Sequence, residues 1–148
     1  MFCSSFVSPM GPITVTSNGR AVVDVSFSSA TTNTAPCAIA DQAVRQLQDY
    51  FSGQRQRFDL PLEPAGTEFQ QRVWRALLTV PFGRTASYKD IALQLGDVNA
   101  VRAVGMANSR NPIGIIIPCH RVIGADGSLT GYAGGLDKKQ WLLQHEAL

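Results

Sequence analysis

The chain has 148 residues, enough for one large domain or two small ones, with an ordinary apolar content of 45% and 16% charged residues. No apolar run approaches the length of a membrane span, so neither a transmembrane segment nor a membrane partner is expected. The net charge of +2 is too small to indicate a nucleic-acid partner by itself, and three cysteines without a paired spacing exclude a disulfide framework and fit a reduced, intracellular (cytoplasmic) setting.

The opening Met1-Phe2-Cys3-Ser4-Ser5 has neither the charged nor the apolar region of a signal peptide, so none is expected. Phe2–Val7, Ile13–Thr16 and Ala21–Phe27 are short β-rich runs. Ser8-Pro9-Met10-Gly11-Pro12 separates the first two, and Ser17-Asn18-Gly19 marks a hairpin between the next two. Ser28–Ala35 is polar and small and reads as a loop. A helix follows from Cys37 to Phe51, with Ile39, Ala43, Leu47 and Tyr50 or Phe51 on one face, and Ser52-Gly53 ends it. Phe58–Pro64 is extended and proline-rich and reads as the connection to a second unit.

That second unit reads as mainly helical. Thr67 and Gln70 form a capping box, followed by Phe69, Val73, Trp74 and Leu77 at helical spacing. After the turn Pro81-Phe82-Gly83, Ser87 and Asp90 open a second helix with Tyr88, Ile91, Ala92 and Leu95 on its apolar face, stopped by Gly96. Asn99 is expected to cap a third helix, Ala100 to Asn108. Joined through Gly96-Asp97-Val98, the pair predicts a helix-turn-helix. Ile115–Ile117 predicts a short buried strand ending at Pro118. A last helix is expected over Asp137–Ala147, with Trp141, Leu142 and Leu143 apolar. The fold class predicted is therefore α+β (α/β), with residues 1–64 forming a small antiparallel three-stranded sheet with a helix. Residues 65–148 form a mainly helical, winged-helix-like domain.

Charge is unevenly distributed. Residues 1–66 hold four Lys/Arg against five Asp/Glu, and residues 67–148 hold nine against six. Arg72, Arg75, Arg84, Lys89, Arg102, Arg110 and Arg121 crowd one segment with only Asp90 and Asp97 opposing them, a candidate basic face for phosphates. A solvated surface accounts for the same pattern.

The chemistry is concentrated in Ile117-Pro118-Cys119-His120-Arg121-Val122. A thiol at its ordinary pKa, about 8.5, is only partly ionised at neutral pH, so a nucleophilic cysteine needs a proton acceptor. His120 is that acceptor. On a regular strand successive side chains point to opposite faces. Either the backbone turns sharply here, or a water links Sγ to the imidazole, and the water is the reading favoured. Cys3 and Cys37 read as small buried apolar residues. Cys3, Cys37, Cys119, His120 and His145 show no zinc-site spacing, so no metal and no cofactor is expected.

With Asn111-Pro112 before it, this hexapeptide resembles the active-site segment of the O6-alkylguanine-DNA alkyltransferases. The resemblance extends through Gly66-Thr67-x-Phe69-Gln70, Val73-Trp74, Ser87-Tyr88-x-x-Ile91-Ala92, Arg102-Ala103-Val104 and Gly131-Tyr132-x-Gly134-Gly135 to Leu142-Leu143-Gln144-His145-Glu146. It implies single-use transfer of an alkyl group from O6-alkylguanine, and from O4-alkylthymine, in double-stranded DNA to Cys119, by a monomer acting where the DNA is (nucleoid or nucleus). It further implies that His120 is the base acting through water, that Glu146 polarises it and that Asn111 holds the turn behind the nucleophile. Tyr88 would protonate the leaving base. Arg102 would enter the duplex where the flipped nucleotide has left, with Ser87 and Ala103 in the DNA-contacting set. Val122, Tyr132 and Ala133 would line the base pocket. Ala133 stands where many relatives have serine, which leaves the backbone N–H but alters the pocket wall.

Three other readings fit less well, one of them a purely structural helix-turn-helix regulator, in which Cys119→Ser would behave normally in every assay. A non-catalytic lesion binder of the alkyltransferase-like kind lacks the cysteine that this chain has. A papain-type thiol hydrolase takes its histidine from far along the chain.

Overall fold

The computed structural model describes residues 1–29 and 35–147, so positions 30–34 of the expected loop lie outside the described residues. The chain divides into two compact units, Met1–Ala65 with Pro112–Ile116, and Gly66–Asn111 with Ile117–Leu148.

The first unit is an antiparallel sheet in the order β1 (Phe2–Ser8), β2 (Gly11–Ser17), β3 (Val22–Ser26), covered by α1 (Ala38–Phe51). Pro9-Met10 forms the first turn, with Ser8 opposite Gly11. The second turn is longer than the two-residue hairpin that Asn18-Gly19 suggests. Asn18 Oδ1 accepts the N–H groups of Arg20 and Ala21, both at 2.9 Å, so the side chain takes over the turn and Ser17 pairs with Val22. Ile13 and Val15 of β2 are buried, as are Ala43, Val44, Leu47 and Tyr50 of α1, which packs on β1 and β2. Cys3 and Cys37 are half-buried rather than buried, because Cys37 precedes α1 as its N-cap. The edge strand β3 receives two extended segments. Leu62 bridges Val22, with Val22 N–H donating to Pro61 O at 2.9 Å. Ile113 bridges Val25, with Val25 N–H donating to Pro112 O at 2.9 Å. The second bridge is what places Pro112–Ile116 in this unit.

The expected strand at Ile115–Ile117 is a turn instead. Ile116 N–H bonds back to Gly114 O at 2.8 Å, and Ile115 between them has φ +69°. A β-branched residue rarely adopts this conformation, and of order 1–3 kcal/mol of backbone strain is held there. Tertiary placement overrides the β-propensity of the run: once Ile113 is bridged to Val25, the chain must reverse.

In the second unit, α2 (Glu68–Leu77) and α3 (Tyr88–Gln94) both begin with complete capping boxes, Thr67/Gln70 and Ser87/Asp90. Gly96, at φ +84°, ends α3. The next cap differs from expectation. Asp97, not Asn99, is the capping residue, because its carboxylate accepts Asn99 N–H at 3.0 Å and starts a 3₁₀ turn, Val98–Ala100, that leads into α4 (Val101–Ser109). The last helix is α5 (Leu136–Glu146). Trp74 is 2% exposed, and its indole N–H donates to Ala107 O at 2.9 Å, tying α2 to the end of α4. Val73, Leu77, Ile91, Val104 and Leu142 are fully or almost fully buried with it. A short parallel pair, β4 (Ala86–Ser87) with β5 (Val122–Ile123), lays the start of α3 beside the chain leaving Cys119.

Candidate active site

The site assembles within the second unit. Ile117-Pro118-Cys119 forms a tight turn, with Cys119 N–H donating to Ile117 O at 2.8 Å. Cys119-His120-Arg121 is one 3₁₀ turn, so the backbone bends sharply at the Cys-His pair. Two asparagines from the end of α4 and just beyond clamp this bend. Asn108 Nδ2 donates to Cys119 O at 3.3 Å, and Asn111 Nδ2 donates to Ile117 O at 2.8 Å.

Cys119 is 6% exposed. Burial pushes its thiol up from the ordinary value. A hydrogen bond from Asn111 and the charge of Lys139 pull in the opposite direction and do not overcome it. His120 is fully buried, and that burial lowers its pKa despite the neighbouring Glu146. Both groups therefore rest neutral.

The histidine is oriented by a buried carboxylate. His120 Nε2 lies 2.7 Å from Glu146 Oε2. Arg121 donates to the same carboxylate twice, Nε to Oε1 at 2.8 Å and Nη2 to Oε2 at 3.0 Å. A bidentate guanidinium keeps a buried carboxylate ionised. An ionised carboxylate only accepts hydrogen bonds, so His120 Nε2 carries the hydrogen and Nδ1 keeps its lone pair. Nδ1 is buried and has no hydrogen-bond partner among the described residues. Arg121 is held in turn by Val80 O at 2.7 Å and by the face of Phe82.

Burial of Arg121 corrects the expectation that it joins a basic surface. Its charge is spent on Glu146. Spacing alone offered one signal for the arrangement of α5. Lys139, Leu142 and Glu146 are its three buried residues, and they recur at i, i+3 and i+7. Trp141 and Leu143, expected on the apolar face, are only half-buried.

Lys139 and Asn108 were not anticipated. The Lys139 side chain is fully buried, and Nζ donates to Val122 O at 2.6 Å and Thr130 O at 2.7 Å. Thr130 O also accepts from the Tyr88 hydroxyl at 3.0 Å. One carbonyl thus links the tyrosine at the start of α3 to the cation that acts on Cys119. Tyr132 lies on the same 130–133 segment, where burial, and then the charges of Cys119 and Glu146, push its phenol well above the ordinary value. Ala133 is exposed on that segment.

Cys119, His120, Glu146, Asn111 and Val122 are thus gathered at one place, with Tyr88 joined through Thr130. Ser87 serves as the cap of α3. Arg102 and Ala103 stand on the exposed face of α4. No group of three or more His, Cys, Asp or Glu suited to hold a metal ion occurs among the described residues, and none of their helices is long and apolar enough to cross a membrane.

Comparison with known proteins agrees with this geometry over the whole chain. Residues 68–148 match the family described as "6-O-methylguanine DNA methyltransferase, DNA binding domain", and residues 1–64 match its "ribonuclease-like domain". The chain is 48% identical to the methylated-DNA–protein-cysteine methyltransferase of Methanosarcina barkeri, covering 99% of this chain and 97% of that protein. It is 50% identical to the Mycobacterium leprae protein of the same name, covering 97% and 91%. The crystal structure of Mycobacterium tuberculosis OGT in complex with DNA superposes with a TM-score of 0.91 at 47% identity, covering 99% of this chain and 93% of that one. Matched along both units, with a buried Cys-His-Glu arrangement inside the matched DNA-binding segment, the chain belongs to the 6-O-methylguanine DNA methyltransferase family, the methylated-DNA–protein-cysteine methyltransferases.

Proposed function

We propose that this chain repairs DNA by direct reversal, moving the alkyl group of O6-alkylguanine, and of O4-alkylthymine, from duplex DNA onto Cys119 Sγ. The observation that carries the reading is the buried thiol beside a histidine whose tautomer is set by an ionised Glu146. The protein acts as a monomer in the intracellular compartment that holds the DNA, with residues 65–148 carrying the chemistry and residues 1–64 in support.

The alkylated oxygen lies inside the base stack, so the nucleotide is flipped out at a cost of about a few kcal/mol. Arg102, exposed on α4, fills the space left behind, and Ser87 and Ala103 contact the duplex near it. Val122 and the Tyr132-Ala133 segment receive the base. A water between Sγ and His120 Nδ1 carries the thiol proton to the imidazole. The Nδ1 lone pair, buried without a hydrogen-bond partner among the described residues, supports this route. Glu146 stabilises the imidazolium that results, and Lys139 stabilises the thiolate.

The thiolate attacks the alkyl carbon, an S–C bond forms and the O6–C bond breaks. The guanine leaves as an anion that takes a proton from Tyr88, whose hydroxyl exchanges Thr130 O for the base. The product thioether has no electrophilic carbonyl for water to attack, so Cys119 is not regenerated and each molecule acts once.

The test is to mix the protein with a duplex holding one O6-methylguanine and measure intact and peptide masses. A single methyl on the Cys119 peptide, stoichiometric with protein and absent from Cys119→Ser, is expected. Lesion-selective binding without modification would instead identify a lesion binder.

A further inference from the structure

The hydroxyl of Tyr88 meets two oxygens of one residue. Tyr88 Oη lies 3.0 Å from Thr130 O and 3.0 Å from Thr130 Oγ1. A phenol has one hydrogen, and a carbonyl oxygen only accepts. The Tyr88 hydrogen therefore goes to Thr130 O, and the other bond runs the opposite way, with the threonine hydroxyl donating to Oη. The alkyl transfer does not use that second bond. Thr130 is exposed, so its side chain is not there to fill a core.

The pair of bonds matters when a base arrives. The ring of Tyr88 lies over Gly105 of α4, where an added Cβ would stand 3.8 Å from it. With the ring held there, rotation about the phenol C–O bond redirects the hydrogen without moving Oη. Thr130 O is not left bare when that hydrogen turns away, because Lys139 Nζ donates to it at 2.7 Å. The threonine hydroxyl stays on Oη throughout.

We propose that Thr130 is a positioning residue for the alkyl transfer, its hydroxyl donating to Tyr88 Oη and stabilising the negative charge that collects there as Tyr88 protonates the departing guanine. This rests on the alkyl-transfer reading above and adds a residue to it. As the O6–C bond breaks, its electron pair goes to the guanine. The guanine then takes the Tyr88 proton, and the O–H bonding pair stays on Oη as a phenolate. Thr130 keeps its own proton, and water reprotonates Tyr88 once the base has left. A hydrogen bond to an ionised acceptor is stronger than one between neutral groups. The Thr130 bond thus strengthens in step with the charge, which lowers the barrier and not only the energy of the resting state.

Single-turnover transfer from a duplex holding one O6-methylguanine is measured at saturating protein for the parent, Thr130→Val, Thr130→Ser, Tyr88→Phe and the variant combining Tyr88→Phe with Thr130→Val. Thr130→Val keeps the side-chain shape without the hydroxyl and is expected to slow transfer about five- to fiftyfold. Thr130→Ser keeps a donor and recovers to within about threefold of the parent. In the Tyr88→Phe background the valine has no phenol to act on and changes the rate by less than about twofold. Iodoacetamide labelling of Cys119 uses the same thiol, but its leaving iodide needs no proton, so Thr130→Val is expected to label at the parent rate. Equal melting temperatures check folding. A Thr130→Val transfer rate within about twofold of the parent, or above it, overturns the inference. An equal loss in the Tyr88→Phe background, a serine variant as slow as valine, or a parallel loss of iodoacetamide labelling overturns it as well. Failure of the alkyl-transfer reading looks different: the parent itself then takes no methyl group on Cys119.

Discussion

His120 Nε2 lies 2.7 Å from Glu146 Oε2, and both side chains are buried. That contact, between residues 26 positions apart, decides which imidazole nitrogen keeps its lone pair. Glu146 has a second role, as the counter-ion of the buried Arg121. Glu146→Gln keeps the shape but leaves the guanidinium uncompensated. A loss of about 3–5 kcal/mol in stability is expected, read by denaturant unfolding. Methyl transfer in the folded fraction should fall at least about 10²-fold, because the amide can present either a donor or an acceptor to Nε2 and no longer stabilises an imidazolium.

The pH dependence of stability follows from two opposed shifts. Burial lowers the His120 pKa, so the unfolded chain binds the extra proton first as pH falls below the ordinary histidine value, about 6.5, and stability declines there. Burial raises the Cys119 pKa, so the unfolded chain loses its proton first as pH rises past the ordinary thiol value, about 8.5, and stability declines there as well. Maximal melting temperature is expected between these limits. Cys119→Ser should flatten the alkaline decline and leave the acid one in place; a thermal-melt series across pH for both proteins checks this.

Lys139 joins three parts of the site. Its ammonium holds Val122 O and Thr130 O, and its charge favours the Cys119 thiolate. Lys139→Met fills similar volume but leaves the buried Val122 O without its ammonium donor, while Thr130 O keeps the Tyr88 hydroxyl, for an expected loss of about 1–3 kcal/mol. The thiol pKa should rise further. Iodoacetamide labelling of Cys119 against pH reports it as a shift of the rate profile to higher pH, a readout that general loosening of the fold would move in the opposite direction by exposing the thiol.

Tyr88 spends its hydroxyl on Thr130 in the resting protein, with both the carbonyl and Oγ1 at 3.0 Å. Its ring also covers Gly105 of α4, so the phenylalanine variant keeps that packing. Tyr88→Phe should cost no more than about 1.5 kcal/mol in stability. Single-turnover transfer from an O6-methylguanine duplex should slow by about 10²- to 10⁴-fold if the hydroxyl protonates the leaving base. An unchanged rate would assign the proton to another donor.

Much of the second unit is legible along the chain because its signals are local. Thr67 with Gln70, and Ser87 with Asp90, sit three residues apart, and both capping boxes form where the spacing placed them. Gly96 ends α3 for a reason visible in one residue, a left-handed backbone that glycine adopts without strain. Where a stronger contact competed with a local preference, expectation and structure part. Asp97 outbids Asn99 as the cap, and the isoleucine run turns once Ile113 has bridged β3.

The sequence by itself pointed to Cys119 and the histidine beside it, and determined the starts of α2 and α3 and the three strands and helix of the first unit. Those depend on residue chemistry and on spacings within one helical turn or one hairpin. Only the tertiary structure decided that Arg121 is a buried counter-ion and not a surface charge, that Lys139 is removed from water, and that Nδ1 of His120 is the nitrogen left to accept a proton. These follow from desolvation and from pairing across 17 to 41 positions of the chain. The free energy of a charge depends on which groups have replaced its water, and that is settled only once distant elements have packed.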